Sequence, residues 1–300
     1  MKIISKHNVS NLSKPIRLND YLIGVFPQLS TRKSIKKALK KGLVLYNNQK
    51  ATSAIWVENN KEIILLEAIE KPPKAFPLKL TILFEDNFIA IIHKPAGIIT
   101  SGNQFKTIQN ALLYNLQPSL SKDKLNWPKP VHRLDKQTSG LLLIAKTKQA
   151  DLHLKKQFEQ HTIQKMYQAL VCGKTVPSGT ISIPIDNKES FTSYKTIESV
   201  PSIKNNFISW VSLFPKTGRT HQLRIHLSKI GYPILGDPLY GTENRILKNK
   251  GLFLCATQLQ FTHPISLKET IITINPPKKF KTRMNNELKM WNKKFETDPK

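Results

Sequence analysis

From residue 80 almost to its end, the chain strings together short alternating apolar runs without a helix between each pair, and this constrains the fold most. Runs at 80–84, 88–93, 140–145, 166–171, 208–213 and 252–261 have the period of strands. Helical spacing occurs around 108–116, where Ile108, Leu112 and Leu116 share a face, and around 150–158, where Ala150, Leu154 and Phe158 do. A doubly wound fold needs a regular strand–helix rhythm. Its absence predicts an α+β domain around a mixed, mostly antiparallel sheet. The basic tail from residue 276 to 300 holds one amphipathic pattern, near 284–291.

The first 70 residues form a separate pattern. Leu18, Tyr21, Leu22 and Val25 mark a helix face that Pro27 breaks. Ser30 is placed to cap a second helix, with Ile35, Ala38 and Leu39 as its apolar stripe and Gly42 as its stop. An alternating stretch (Val44, Tyr46), a turn at Asn47-Asn48 and a strand around 63–66 complete a small α+β domain. The second helix also carries Arg32, Lys33, Lys36, Lys37, Lys40 and Lys41, with no acid among them. Six like charges repel one another, which favours a phosphate-facing surface over a merely solvated one. Three prolines within 71–79 mark a linker, and 80–300 is expected to form the larger domain.

Charge points the same way for the whole chain. Lys and Arg number 47 against 20 Asp and Glu, a net charge of +27. Each cation that meets a phosphate releases condensed counterions, so nucleic acid is the expected partner. A membrane surface fits less well, since the helices lack a large apolar face. No run approaches the roughly 18 apolar residues of a membrane span, and residues 1–14 lack a signal-peptide core, so a cytoplasmic protein is expected. Cys172 and Cys255 lack metal-type spacing and are expected to be buried side chains.

The segment Val131-His-Arg-Leu-Asp-Lys-Gln-Thr-Ser-Gly140 places a lone carboxylate, Asp135, in a polar loop before a buried strand. Loops held by rigid strands often carry catalysis, yet a turn-capping aspartate fits this loop equally well. A kinase catalytic loop also begins His-Arg, but here the downstream asparagine, the Gly-rich loop and Asp-Phe-Gly are missing. Ser139 lacks the G-x-S-x-G elbow of a hydrolase. His221 and His226 lie five apart without the HExxH pattern, so structural or RNA-contacting roles are expected rather than zinc.

Five segments in order resemble the RluA-type family of RNA pseudouridine synthases: DNFIAIIHKPAG (86–97), HRLDKQTSG (132–140), the Lys165-Met166-Tyr167 stretch, TGRTHQLRIH (217–226) and the Gly236-Asp237 to Tyr240-Gly241 turn. Residues 17–66 resemble the small αL-type RNA-binding domain of a small-subunit ribosomal protein, with Tyr46-Asn47-Asn48 where Val-Asn-Gly is usual. Two further departures are visible. A histidine usual after the KPAG turn is absent from Ile98-Ile99-Thr100-Ser101, and Cys255 stands where a histidine usually precedes Ala256.

The resemblance implies the pseudouridine synthase fold, and an enzyme that breaks the N1–C1′ bond of uridine and rejoins the base through C5. No metal or other cofactor is expected. It assigns the essential carboxylate to Asp135, acting as nucleophile or base. An ionised carboxylate in a water-poor pocket needs a cation, here Arg224 with Arg219 as its rival. It makes Tyr167 the residue against the base, and Arg133 the one that fills the space the flipped nucleotide leaves. His132 is expected to shape the loop and lie near RNA, and Arg219 and Arg32, Lys33, Lys36, Lys37 and Lys40 to bind RNA. Large-subunit ribosomal RNA is the first expected substrate and tRNA the second, with a monomer sufficient. A non-catalytic RNA-binding or ribosome-assembly protein is the alternative.

Overall fold

The computed structural model describes residues 2–67, 72–241 and 250–295. The last five residues of the expected larger domain and the first of the expected linker lie outside them. The chain forms two compact units, residues 1–71 and 72–300.

The first unit comprises β1 (Ile3–Asn8), β2 (Ile16–Arg17), α1 (Leu18–Tyr21), α2 (Arg32–Lys40), β3 (Val44–Tyr46), β4 (Gln49–Lys50), β5 (Trp56–Val57) and β6 (Glu62–Leu66). A four-stranded antiparallel sheet runs β1-β6-β3-β4, and β2 pairs with β5. Leu18, Leu22, Phe26, Ile35, Leu39, Val44 and Ile63 form its core.

Two expectations need correction here. The first helix does not reach Val25: α1 ends after Tyr21, and Gly24, at φ +83°, turns the chain. Leu22 closes the helix as its C-cap, its N–H donating to the Leu18 carbonyl at 3.0 Å, and Val25 packs against the core from the turn that follows. The cap of α2 is Thr31 rather than Ser30. Ser30 follows a 3-10 turn in helical geometry, while extended Thr31 accepts the Ser34 N–H at 3.1 Å.

The second unit comprises β7 (Thr81–Glu85), β8 (Ile89–Lys94), α3 (Ile108–Asn115), β9 (Lys124–Pro130), β10 (Ser139–Thr147), α4 (Lys148–Glu159), β11 (Gln164–Cys172), β12 (Ser178–Ile181), β13 (Thr192–Ser202), β14 (Asn206–Pro215), α5 (Gln222–Lys229), β15 (Leu254–Thr262), β16 (Glu269–Thr273) and α6 (Lys279–Phe295). Its ten-stranded sheet runs β12-β13-β14-β11-β15-β10-β8-β7, with β16 on β15 and β9 on β10. The architecture is α+β around a mostly antiparallel sheet, as the strand pattern predicts. Before β7, Phe76 and Leu78 pack on α3, and the Asn115 amide donates to the Leu78 carbonyl.

Strand alternation gives the sheet two covered faces. Along β11, Ala169 and Val171 meet Leu223 and Leu227 of α5, whereas Leu170 and Cys172 meet Phe280 and Met284 of α6. Along β10, Leu142 and Ile144 meet α3, whereas Leu141 and Leu143 meet α4.

One parallel contact interrupts the antiparallel pattern. It pairs Ser139 with Cys255 and Gly140 with Ala256, immediately after the loop that carries Asp135. Gly140 sits at φ +116°, and a Cβ there would lie 2.2 Å from the Ala256 carbonyl oxygen. The two strands close only because that position has no side chain.

Candidate active site

The loop from Val131 to Thr138 borders a cavity of about 400 Å³, closed on other sides by β11, the end of β14 and the start of α5. Its backbone is gripped from beneath. Fully buried Lys94 donates from Nζ to the carbonyls of Thr138 at 2.8 Å, Pro95 at 3.0 Å and Lys136 at 3.2 Å. Burial lowers the Lys94 pKa to about 8, against the opposing pull of Asp135. Thr100 lies in the segment that departs from the family pattern. Its hydroxyl donates to the Leu134 carbonyl at 2.9 Å and accepts the Leu134 N–H at 3.2 Å.

His132 shapes the loop. Its Nε2 accepts the Leu143 N–H at 3.1 Å, and its ring stacks on Phe158 with centroids 4.8 Å apart. Burial, helped by the Lys165 charge, pushes its pKa down to about 3, so the ring is neutral.

Asp135 keeps about a quarter of its side chain accessible, at 24%. Its Oδ2 lies 3.8 Å from Arg224 Nη1, and its Oδ1 lies 3.9 Å from His221 Nε2. Arg224 projects from the first turn of α5 and is only 4% exposed. Its Nε and Nη2 donate to Asp237 Oδ2 and Oδ1 at 2.7 and 2.8 Å. Asp237 also accepts the N–H groups of Leu239 and Tyr240. Burial alone would strip charge from this pair. It works to lower the Arg224 pKa, but the Asp237 hydrogen bonds and charge, with Asp135, raise it above the ordinary value. Burial likewise raises Asp237, and Arg224 with the two backbone donors more than reverses it.

His221 precedes α5 at φ +56°, a strained backbone for a non-glycine residue. The strain is held by its Nδ1 contact with the Tyr240 hydroxyl at 3.0 Å, and the Tyr240 ring lies 5.0 Å from the Arg224 guanidinium carbon. Tyr167 lines the same cavity from β11. Burial raises its pKa, with Asp135 and Cys255 adding to the effect, so its hydroxyl stays protonated. Cys255, the second departure, is buried opposite Ser139, and burial raises its thiol pKa too.

The fold thus gathers Asp135, Tyr167, Arg224, Arg133, His132 and Arg219 around one cavity. Arg133 is exposed at the rim, and half-buried Arg219 donates through Nε and Nη2 to the Glu189 carbonyl. Arg32, Lys33, Lys36, Lys37 and Lys40 belong to the other unit, exposed on one helix. Asp237, Lys94 and Tyr240 were not singled out from sequence. A buried acid thirteen residues from a buried arginine leaves no periodic signal, although Asp237 stands inside a recognised turn. Among the described residues, no group of three His, Cys, Asp or Glu is arranged to hold a metal ion, and no helix is long and apolar enough to cross a membrane.

The surrounding sequence matches known proteins. Residues 88–229 match the profile of the RNA pseudouridylate synthase family. An uncharacterized RNA pseudouridine synthase of Aquifex aeolicus (strain VF5) is 31% identical over 294 residues, spanning 89% of this chain and 92% of its own. Ribosomal large subunit pseudouridine synthase D of Buchnera aphidicola subsp. Schizaphis graminum is 35% identical, over 84% of this chain and 88% of its own. Among solved structures, human RNA Pseudouridylate Synthase Domain Containing 1 superposes with a TM-score of 0.55 at 26% identity, covering 66% of this chain and 84% of that one. With relatives above 30% identity along most of its length, and the profile spanning the Asp135 loop, Tyr167 and Arg224, the chain belongs to the RluA-type family of RNA pseudouridine synthases.

Proposed function

We propose that this synthase isomerises uridines in large-subunit ribosomal RNA, with Asp135 as the essential carboxylate. The observation that carries the assignment is the 3.8 Å approach of Arg224 to Asp135, with Arg224 itself fixed by Asp237. A guanidinium anchored on one side by Asp237 and open on the other presents a fixed positive charge to the Asp135 carboxylate. The relative from Buchnera aphidicola carries the ribosomal large subunit in its name, which supports that substrate over tRNA.

The bookkeeping of the reaction is closed. The N1–C1′ bond breaks, the base turns, C5 bonds to C1′, the C5 proton leaves to solvent and N1 takes one up. Asp135 acts on the sugar or base as nucleophile or base. Tyr167 sits against the turning base with a protonated hydroxyl. The target must leave its stack, and Arg133 at the rim has the planar group to fill the space left behind. Arg219 serves the backbone beside the cavity, His132 holds the loop, and Arg32, Lys33, Lys36, Lys37 and Lys40 in the first unit offer phosphates a cluster of exposed cations on one helix, Arg32 lying also 3.5 Å from Asp20. The first unit is in this reading the RNA-binding domain, residues 71–79 the linker, and 80–300 the catalytic domain. The protein works as a monomer in the cytoplasm, beside the ribosomes it serves.

The test uses RNA tritiated at uridine C5. Large-subunit ribosomal RNA from cells lacking the gene is expected to release label into water with the wild-type protein. With Asp135→Asn, RNA affinity should persist while release vanishes. Release from tRNA alone would transfer the substrate to tRNA, and no release from any cellular RNA would leave an RNA-binding protein without catalysis.

A further inference from the structure

We infer that Lys165 binds a backbone phosphate of the flipped nucleotide inside the cavity, a role that rests on the synthase reading above. Lys165 and Tyr167 are two apart on β11, so they share one face of the strand, and both line the cavity. Four basic side chains other than histidine border that space: Arg133, Lys165, Arg219 and Arg224. One carboxylate, Asp135, borders it among the described residues.

The other cations have employment or open solvent. Arg224 is engaged by Asp237 and Asp135, Arg219 by the Glu189 carbonyl, and Arg133 is exposed. Lys165 is half-buried, and its Nζ has the Thr217 carbonyl as acceptor at 3.5 Å, the long limit of a hydrogen bond. Among the described residues no carboxylate comes within 4.0 Å of it. Burial lowers its pKa, the signature of an ammonium short of compensation. A half-buried cation lining the same cavity as Asp135, without a carboxylate of its own among the described residues, suits an anion brought by the substrate. The only anions of an RNA substrate are its phosphates. A lysine ammonium, compact and free to rotate, meets a phosphate as a point charge.

The experiment compares wild type, Lys165→Met and Lys165→Arg on C5-tritiated RNA prepared from cells lacking the gene. Lys165→Met should raise KM about tenfold or more, the scale of one charge-assisted hydrogen bond, with a smaller change in kcat. The slope of log affinity against log salt should shrink by about 0.7 to 0.9, one phosphate contact, and Lys165→Arg should restore it. The Tm of Lys165→Met should hold or rise, since an undercompensated charge has been removed. An unchanged salt slope with lowered kcat would overturn the inference in favour of a contact to a neutral uracil oxygen. A lowered Tm with unchanged slope would overturn it in favour of packing. Full wild-type release with an indifferent Lys165→Met refutes only this role, whereas no wild-type release on any RNA refutes the synthase reading beneath it.

Discussion

Asp237 takes two edges of the Arg224 fork, at Nε and Nη2, and leaves Nη1 to face Asp135 at 3.8 Å. The buried acid therefore aims the buried base. Removing the Asp237 charge leaves a guanidinium out of water with Asp135 as its nearest counterion, so the arginine is expected to swing toward Asp135 or the site to loosen. Asp237→Ala should cost about 3–5 kcal/mol of stability, the usual consequence of orphaning one member of a buried pair. Denaturant unfolding measures that loss. Tritium release should fall by at least about a hundredfold under conditions where the variant remains folded, reflecting the misplaced cation.

Gly140 is where the Asp135 loop meets the sheet. A Cβ at this position would stand 2.2 Å from the Ala256 carbonyl oxygen and 2.5 Å from its nitrogen, both backbone atoms that cannot rotate away. Gly140→Ala is expected to cost about 3 kcal/mol or more, because it combines overpacking with an unfavourable φ. Thermal unfolding should show it directly. At temperatures where the variant stays folded, kcat should drop as well, because the parallel pairing of Gly140 with Ala256 anchors the loop five residues away.

Much of this site was legible because its pieces are local. The loop at 131–140 announces itself by a lone acid followed by an apolar run, and the strands that hold it alternate visibly. Helix α5 was not legible as a helix. Beside Leu223 and Leu227 it buries Gln222, Arg224 and His226, so polar side chains on the inward face mask the short apolar spacing. Those side chains are satisfied by partners distant in sequence: Thr192 with both Gln222 and His226, and Ser190 with His226. The same reasoning explains the missed β13, whose neighbours supply what its polar residues lack. At α2 a local rule misled by one residue. Ser30 is by type the better cap, and the preceding 3-10 turn, which leaves Ser30 in helical geometry, hands the role to Thr31.

His132 makes stability sensitive to acid. Its ordinary pKa near 6.5 is pushed to about 3 in the folded chain, where Nε2 must remain an acceptor for the Leu143 N–H. Between those values the unfolded chain binds a proton that the folded chain refuses. The contribution is thus fully present above about pH 6.5 and is lost as pH falls toward 3. The wild-type Tm should decline through this window, and His132→Gln should show a shallower decline in thermal melts recorded at pH 7 and pH 4.

The exposed row on α2 predicts a different kind of loss. Replacing Lys33, Lys36, Lys37 and Lys40 with Gln should weaken RNA binding and flatten its salt dependence by about 0.7 to 0.9 for each phosphate contact removed. At saturating RNA, kcat should be unchanged. The Tm should not fall, since these side chains project from the helix into solvent and repel one another. Filter binding across a salt series, paired with tritium release at saturation, separates the two effects.

Tyr167 separates stacking from proton transfer. Its hydroxyl lies in a buried setting near a negative charge, and both factors raise its pKa, so at neutral pH it can donate a proton but holds no negative charge of its own. Tyr167→Phe keeps the ring and removes the donor. If the hydroxyl hands a proton to the base or sugar, single-turnover release of C5 tritium should slow by about 10²-fold or more, the scale of a lost general acid or base. RNA affinity should stay within about twofold, because the stacking surface is intact. Tyr167→Ala should weaken both. Equal single-turnover rates for wild type and Tyr167→Phe would reduce the tyrosine to a platform for the base and leave Asp135 to manage every proton in the cavity.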